Sequence, residues 1–130
     1  MQKITIITVV KNAEQTIERS IKSVIDQNYD NIEYIVIDGA SKDKTLNILN
    51  KYKKKIQIIV SEKDNGIWDA MNKGLNLASG EIVGFLNADD FYNVDCLKIV
   101  DKYFKENSID FLFGTVMRHK LMHGFKPSII

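Results

Sequence analysis

Glu81-Ile82-Val83-Gly84-Phe85-Leu86-Asn87-Ala88-Asp89-Asp90 carries a short apolar run straight into two adjacent carboxylates. A run of this length closed by turn residues reads as a buried strand of a parallel sheet. In open α/β sheets, ligands bind beyond the carboxyl ends of such strands. Paired carboxylate oxygens there suit a hard divalent cation, completed by phosphates and water. The same pair also suits the first turn of a helix, where aspartates meet the positive end of the macrodipole. Taken alone, the pair does not choose between cation site and helix start. Its place after a buried strand favours the cation, and with it a nucleoside diphosphate.

Working outward, the chain alternates between two hydrophobic periods. Residues 4–10 form a β-branched run, residues 32–37 another, ending at Asp38-Gly39-Ala40-Ser41, and residues 56–60 a third, ending at 61–66. Between them Ile17, Ile21, Val24 and Ile25 recur at helical spacing over residues 14–27. Ser41 is placed to cap a helix with Asp43 in its first turn and Leu46, Leu49 and Tyr52 inward. Residues 67–78 predict a helix with Ala70, Met71, Gly74, Leu75 and Ala78 on its inner side, closed by Gly80 in the left-handed conformation. Beyond the acidic pair come a helix bearing Leu97, Val100, Tyr103 and Phe104, and a short strand over residues 109–116. This alternation implies βαβ units, right-handed crossovers and a mostly parallel sheet of about five strands with flanking helices. The ordered unit is expected over residues 1–116, and residues 117–130 show no clear pattern.

Composition narrows the classes. With 130 residues, 45% apolar and 27% charged, the chain supports one soluble domain. A net charge of +1 gives no electrostatic footprint for nucleic acid. One cysteine, Cys96, excludes an internal disulfide framework, fits a reducing compartment and is expected to be buried. No run is long enough to cross a bilayer and no signal-peptide pattern opens the chain, so a cytoplasmic protein is expected. Peripheral membrane attachment stays open.

Other strand ends carry polar residues. Asp38 reads either as a turn aspartate or as a hydrogen-bond partner for a base or ribose. Asp64-Asn65-Gly66 is a turn signal. Asp69 and Lys73, four apart, form a surface ion pair or, with Asn72, a polar face lining the same cleft. His119 and His123 have a spacing that can hold zinc on a helix, but lack a third ligand. Lys51, Lys53, Lys54 and Lys55 read as a solvated helix end. No glycine-rich phosphate loop is present.

These residues bring a family into view. The stretches 4–14, 23–27, 32–41, 61–74 and 85–90 closely resemble family 2 glycosyltransferases, above all those that build bacterial surface polysaccharides. The resemblance implies a Rossmann-like GT-A fold whose N-terminal half binds a nucleotide-sugar, most often a UDP-sugar. It implies that Val9, Lys11, Asn12 and Asp38 line the nucleoside and that Asp64, Asp69, Asn72 and Lys73 border the donor pocket. Asn87 would reach the ribose, and Asp89, with Asp90 beside it, would meet Mn²⁺ or Mg²⁺ and through it the diphosphate. Two departures stand out: Gly39 where many members have a second aspartate, and Asn87 where many have the first acid of the metal motif. The acceptor, a glycan or lipid-linked sugar, and the catalytic base of an inverting enzyme would belong to a further half that this chain does not reach. The chain is therefore expected either as the donor part of a glycosyltransferase or as a truncated, non-catalytic nucleotide-binding fragment. An uncovered sheet edge would favour homo-oligomers.

Overall fold

The computed structural model describes residues 1–114 and, beyond them, the backbone of two short strands. Strands β1 (Ile4–Val10), β2 (Ile32–Asp38), β3 (Ile58–Ser61) and β4 (Ile82–Phe85) alternate with helices α1 (Ile17–Ile25), α2 (Thr45–Lys51), α3 (Ile67–Leu77) and α4 (Cys96–Glu106). The four strands form one parallel sheet in the order β3-β2-β1-β4. The chain steps outward from β1 through β2 to β3, then returns to place β4 on the other flank of β1. Right-handed crossovers in opposite directions put their helices on opposite faces.

The packing follows that rule. Ile4, Ile6 and Val10 of β1 join Tyr34 and Val36 of β2 in one cluster with Ile17, Ile21 and Val24 of α1, Leu49 of α2 and Leu97 of α4. Ile7, Ile35 and Ile37 point the other way and meet Ala70 of α3. The central strands are covered on both faces, which is why they read as mostly apolar, β-branched runs rather than alternating ones, with Thr5, Thr8, Glu33 and Asp38 the buried polar exceptions. α3 lies close against the sheet because residue 74 has no side chain: a Cβ there would sit 2.5 Å from Ile7 Cγ2.

Several expectations change. Among the described residues the parallel sheet has four strands, one fewer than the expected five or so. Residues 109–114 are not strand, and Phe111 and Phe113 among them are 81% and 91% exposed, with no sheet neighbour among the described residues. A separate antiparallel pair joins β5 (Met117–Arg118) to β6 (Ser128–Ile129), within the stretch that showed no sequence pattern. α1 begins at Ile17, because the Ala13 and Glu14 N–H groups donate to Thr45 Oγ1 and Asp43 Oδ2 instead of entering a helix. Ser41 does not cap α2, which starts at Thr45. Leu75 and Tyr103 are about half-exposed rather than inward, at 48% and 50%. Cys96 is half-buried, which pushes its thiol pKa up.

At the amino ends of the strands, Glu33 on β2 gathers a polar knot. Its carboxylate accepts from Thr5 Oγ1 at 2.6 Å, from the Ser79 N–H at 2.7 Å and from Ser79 Oγ at 2.6 Å, and pairs with Lys3 Nζ at 3.1 Å. The Gly80 N–H donates to Thr5 Oγ1. α3 therefore ends by tying its exit loop to the sheet, with Ala78 extended, and not through a left-handed glycine at residue 80. Burial pushes the Glu33 carboxyl up, but the hydrogen bonds from Ser79, Thr5 and Lys3 outweigh it and hold the pKa at about 2.

Candidate functional site

The carboxyl ends of β1 and β4 lie side by side where the strand order reverses, the place at which open α/β sheets bind ligands. A cleft of about 330 Å³ opens there. Val9, Val10, Lys11 and Ala13 line it from the β1 side, Asn87, Ala88 and Asp89 from the β4 side, and Ile67 from the start of α3. Ile67 and Ala13 carried no sequence signal, since each reads as an ordinary apolar residue flanking a loop.

Asp89 and Asp90 are not a helix start, because α4 begins only at Cys96. Both are exposed. Asn87 Nδ2 donates to Asp90 Oδ2 at 3.3 Å, while the Asp89 carboxylate has no hydrogen bond or ion pair among the described residues. Of the two acids, Asp89 is the one open to a ligand at the cleft.

The loop carrying them is held from behind by α1. Ser20 Oγ lies within hydrogen-bonding distance of the carbonyls of Asn87, Ala88 and Asp90, and Arg19 Nη2 donates to the Asp89 carbonyl at 3.2 Å. The Tyr92 N–H donates to Ser23 Oγ, and the Gln27 side chain joins the Asn93 carbonyl to the Leu97 N–H. The available signal was a polar row, Ser20, Ser23 and Gln27, interrupting an apolar helix stripe.

Asp38 is fully buried. Its carboxylate accepts from the Ser41 N–H and hydroxyl and from Ser61 Oγ at 2.6 Å, so it organises the strand ends and offers no free edge to a ligand in this arrangement. Asn12 is similarly engaged: its N–H donates to Ser41 Oγ and its Oδ1 accepts from the Lys42 N–H. Asn12 and Ala40 take left-handed φ values of 51° and 56°, so the β1–α1 and β2–α2 loops clasp each other through backbone that few residues adopt cheaply.

Asp64 occupies the space a side chain at residue 39 would need. A Cβ on Gly39 would fall 2.4 Å from Asp64 Oδ2 and 3.4 Å from Lys11 Cδ. The Asp64 carboxylate thus sits beside the cleft-lining Lys11, its other oxygen accepting from the Gly66 N–H.

Asp69 and Lys73 brace the loop in front of α3. Asp69 Oδ2 accepts from the Asn65 N–H, and Lys73 pairs with Glu62 at 2.9 Å and Asp69 at 3.3 Å. The Asn65 N–H, opposed by partial burial and aided by Lys73, lowers the Asp69 pKa. Glu62, opposed by desolvation and aided by Asp69, raises that of Lys73. Asn72 is exposed on α3, away from the cleft lining.

The structure thus brings Val9, Lys11, Asn87 and Asp89 to one cleft and Asp64 to its border, and places Asn12, Asp38, Asp69 and Lys73 in the framework around it. Among the described residues no group of three or more His, Cys, Asp or Glu side chains could hold a metal ion by itself. His119 and His123 lie outside the described residues.

The glycosyl transferase family 2 model matches residues 5–129. A putative teichuronic acid biosynthesis glycosyltransferase, TuaG of Bacillus subtilis (strain 168), is 35% identical over 113 residues, covering 85% of this chain and 45% of that relative. The chain thus spans less than half the length of this relative. The crystal structure of S. aureus TarS 1–349 in complex with UDP-GlcNAc superposes over 80% of this chain and 31% of its own, with a TM-score of 0.74 and 29% identity. A mannosyltransferase from Pyrobaculum calidifontis in complex with GDP-Man and Mn²⁺ superposes over 70% of this chain and 28% of its own, with a TM-score of 0.65 and 28% identity. The sheet order and flanking helices are those of the Rossmann-like half of a GT-A domain, and the chain belongs to glycosyl transferase family 2.

Proposed function

We propose that the chain is the donor-binding part of a metal-dependent, inverting glycosyltransferase of surface-polysaccharide synthesis. It takes a UDP-sugar, and the sugar passes to a glycan or lipid-linked acceptor. The observation that carries this reading is the cleft at the sheet reversal, lined by Lys11 beyond β1 and by Asn87 and Asp89 beyond β4. The nucleotide-sugars bound by the TarS and mannosyltransferase structures, and the Mn²⁺ of the latter, support it.

The donor set fits a cation completed by a diphosphate. Asp89 presents an unengaged carboxylate, Asp90 stands beside it on the hydrogen bond from Asn87, and no third His, Cys, Asp or Glu completes a metal-holding group with them among the described residues. A metal held by one or two carboxylates takes its remaining ligands from phosphate and water. Mn²⁺ or Mg²⁺ bound there supplies the Lewis-acid charge that makes the nucleoside diphosphate a better leaving group. Val9, Val10 and Ile67 give the cleft its apolar surface, and Lys11 its positive charge.

Asp64 is assigned the hydrogen bond to base or ribose that the buried Asp38 cannot make directly. Gly39→Ala tests this assignment without touching the acid. Its Cβ would displace the Asp64 carboxylate, and calorimetry should show UDP affinity falling by about tenfold, the usual worth of a charged hydrogen bond. Unchanged affinity would remove Asp64 from the site.

Titration of UDP into the protein with and without Mn²⁺, followed by calorimetry, tests the whole reading. Binding that strengthens with the metal is expected. Absence of any nucleotide binding under both conditions would overturn it.

A further inference from the structure

Ser20 is fully buried on α1 beneath the acidic loop. Its Oγ lies 2.9 Å from the Ala88 carbonyl, 2.5 Å from the Asp90 carbonyl and 3.4 Å from the Asn87 carbonyl. The intervening Asp89 carbonyl accepts from Arg19 Nη2 at 3.2 Å. The Arg19 guanidinium lies 4.4 Å from the centre of the Phe91 ring, which holds it over the loop. Four consecutive carbonyls, those of residues 87–90, therefore end on two adjacent residues of one helix.

The chemistry of this meeting is asymmetric. A serine hydroxyl donates one proton, yet three carbonyl oxygens crowd around it. The Asn87 carbonyl also accepts from the Asp90 N–H at 3.1 Å. The hydroxyl therefore matters most to the Ala88 and Asp90 carbonyls, whose negative ends repel unless a donor sits between them and which are costly if left without one. Turning the carbonyls inward onto α1 leaves the Asp89 and Asp90 side chains facing out, and both are exposed. Carbonyls in and carboxylates out is the orientation that a cation site at the cleft requires.

We propose that Ser20 is a positioning residue for the cation-holding loop, fixing through the carbonyls of Asn87, Ala88 and Asp90 the direction in which Asp89 and Asp90 present their carboxylates. The proposal rests on the donor-site reading above. A bland alternative is that serine fills a small buried space, in which case alanine would serve as well.

Two measurements on Ser20→Ala separate the possibilities. Amide hydrogen exchange, which needs no ligand, should rise by about tenfold or more across residues 87–92 while the amides of β1 and α3 keep their protection. UDP calorimetry should show that the gain in affinity conferred by Mn²⁺ shrinks by about tenfold while metal-free UDP binding stays unchanged. Ser20→Thr, which keeps the hydroxyl, should restore both readouts. Should Ser20→Ala fail to fold, Ser20→Cys, with a weak S–H donor of similar size, should give an intermediate change in the same two readouts. Wild-type exchange at residues 87–92 in the alanine or cysteine variant would overturn the proposal whatever the ligand does. Wild-type protein that binds no UDP would instead overturn the donor-site reading, with the exchange result still judging Ser20.

Discussion

Asp89→Ala is expected to abolish the metal-dependent part of nucleotide binding while leaving the fold intact. The carboxylate is exposed and makes no hydrogen bond or ion pair among the described residues, so its removal costs the folded state little. Surface substitutions of this kind stay within about 0.5 kcal/mol. The loss falls on the ligand. Without Asp89, only Asp90 remains to hold a cation, and Asn87 already engages one of its oxygens. Loss of even an outer-shell partner typically lowers metal affinity by about 10–100-fold, and a direct ligand should do at least as much. Mn²⁺ should then no longer strengthen UDP binding in calorimetry, while the thermal midpoint stays at the wild-type value. Asp90→Ala should have a smaller effect of the same kind. An Asp89→Ala protein that retained the full Mn²⁺ gain would remove the cation from this loop.

The largest stability effect is expected at the opposite end of the sheet. Glu33→Gln keeps the shape but places an amide against the Ser79 and Thr5 donors and removes the charge facing Lys3. Hydrogen bonds to a charged group are worth about 1.5–3 kcal/mol each, and partial rearrangement leaves an expected cost of about 3 kcal/mol at neutral pH. The pH dependence has a definite sign. The Glu33 pKa falls from the usual 4.5 to about 2 on folding, so its contribution is complete above pH 4.5 and is lost as the pH falls through 2. Urea denaturation of both proteins between pH 6 and pH 2 should show their stability curves converging as acid protonates Glu33. A difference that stayed constant across that range would show that the Glu33 charge is not what ties α3 to the sheet. The Glu33 carboxylate is remote from the cleft lining, so the variant should bind UDP normally wherever it is folded.

Much of the fold is legible in the sequence. The β-branched runs and the helical stripes between them located all four sheet strands, because two central strands buried on both faces are apolar at most positions, with only Thr5, Thr8, Glu33 and Asp38 polar among them. The place of Asp89 just past the carboxyl end of β4 was legible for a related reason, since it follows such a run within a few residues. The fifth strand misled because residues 109–116 have a strand-like composition, yet strand identity depends on a neighbour to pair with, and composition does not supply one. Ser41 misled in the same way. As a local signal it is a good cap, but its hydroxyl donates to Asp38 three residues back and accepts from the Asn12 N–H of the β1–α1 loop.

By itself the sequence determined the α/β alternation, the family and the polar stretches at the carboxyl ends of the strands, since these follow from local periodicity and ordered motifs. The pairing of β1 with β4 that forms the cleft came from the fold. Only the tertiary structure decided which polar residues face that cleft. It withdrew Asp38, Asn12, Asp69 and Lys73 into the framework, moved Asp64 into the space left by Gly39, and set Ser20 behind the acidic loop. The physical reason is that a buried polar side chain must find its partners wherever the fold brings them. Some partners are local, as for Asp69 with Lys73, but those of Asn12, of Ser20 and of Asp38 at Ser61 lie on other elements, at separations that no local pattern encodes.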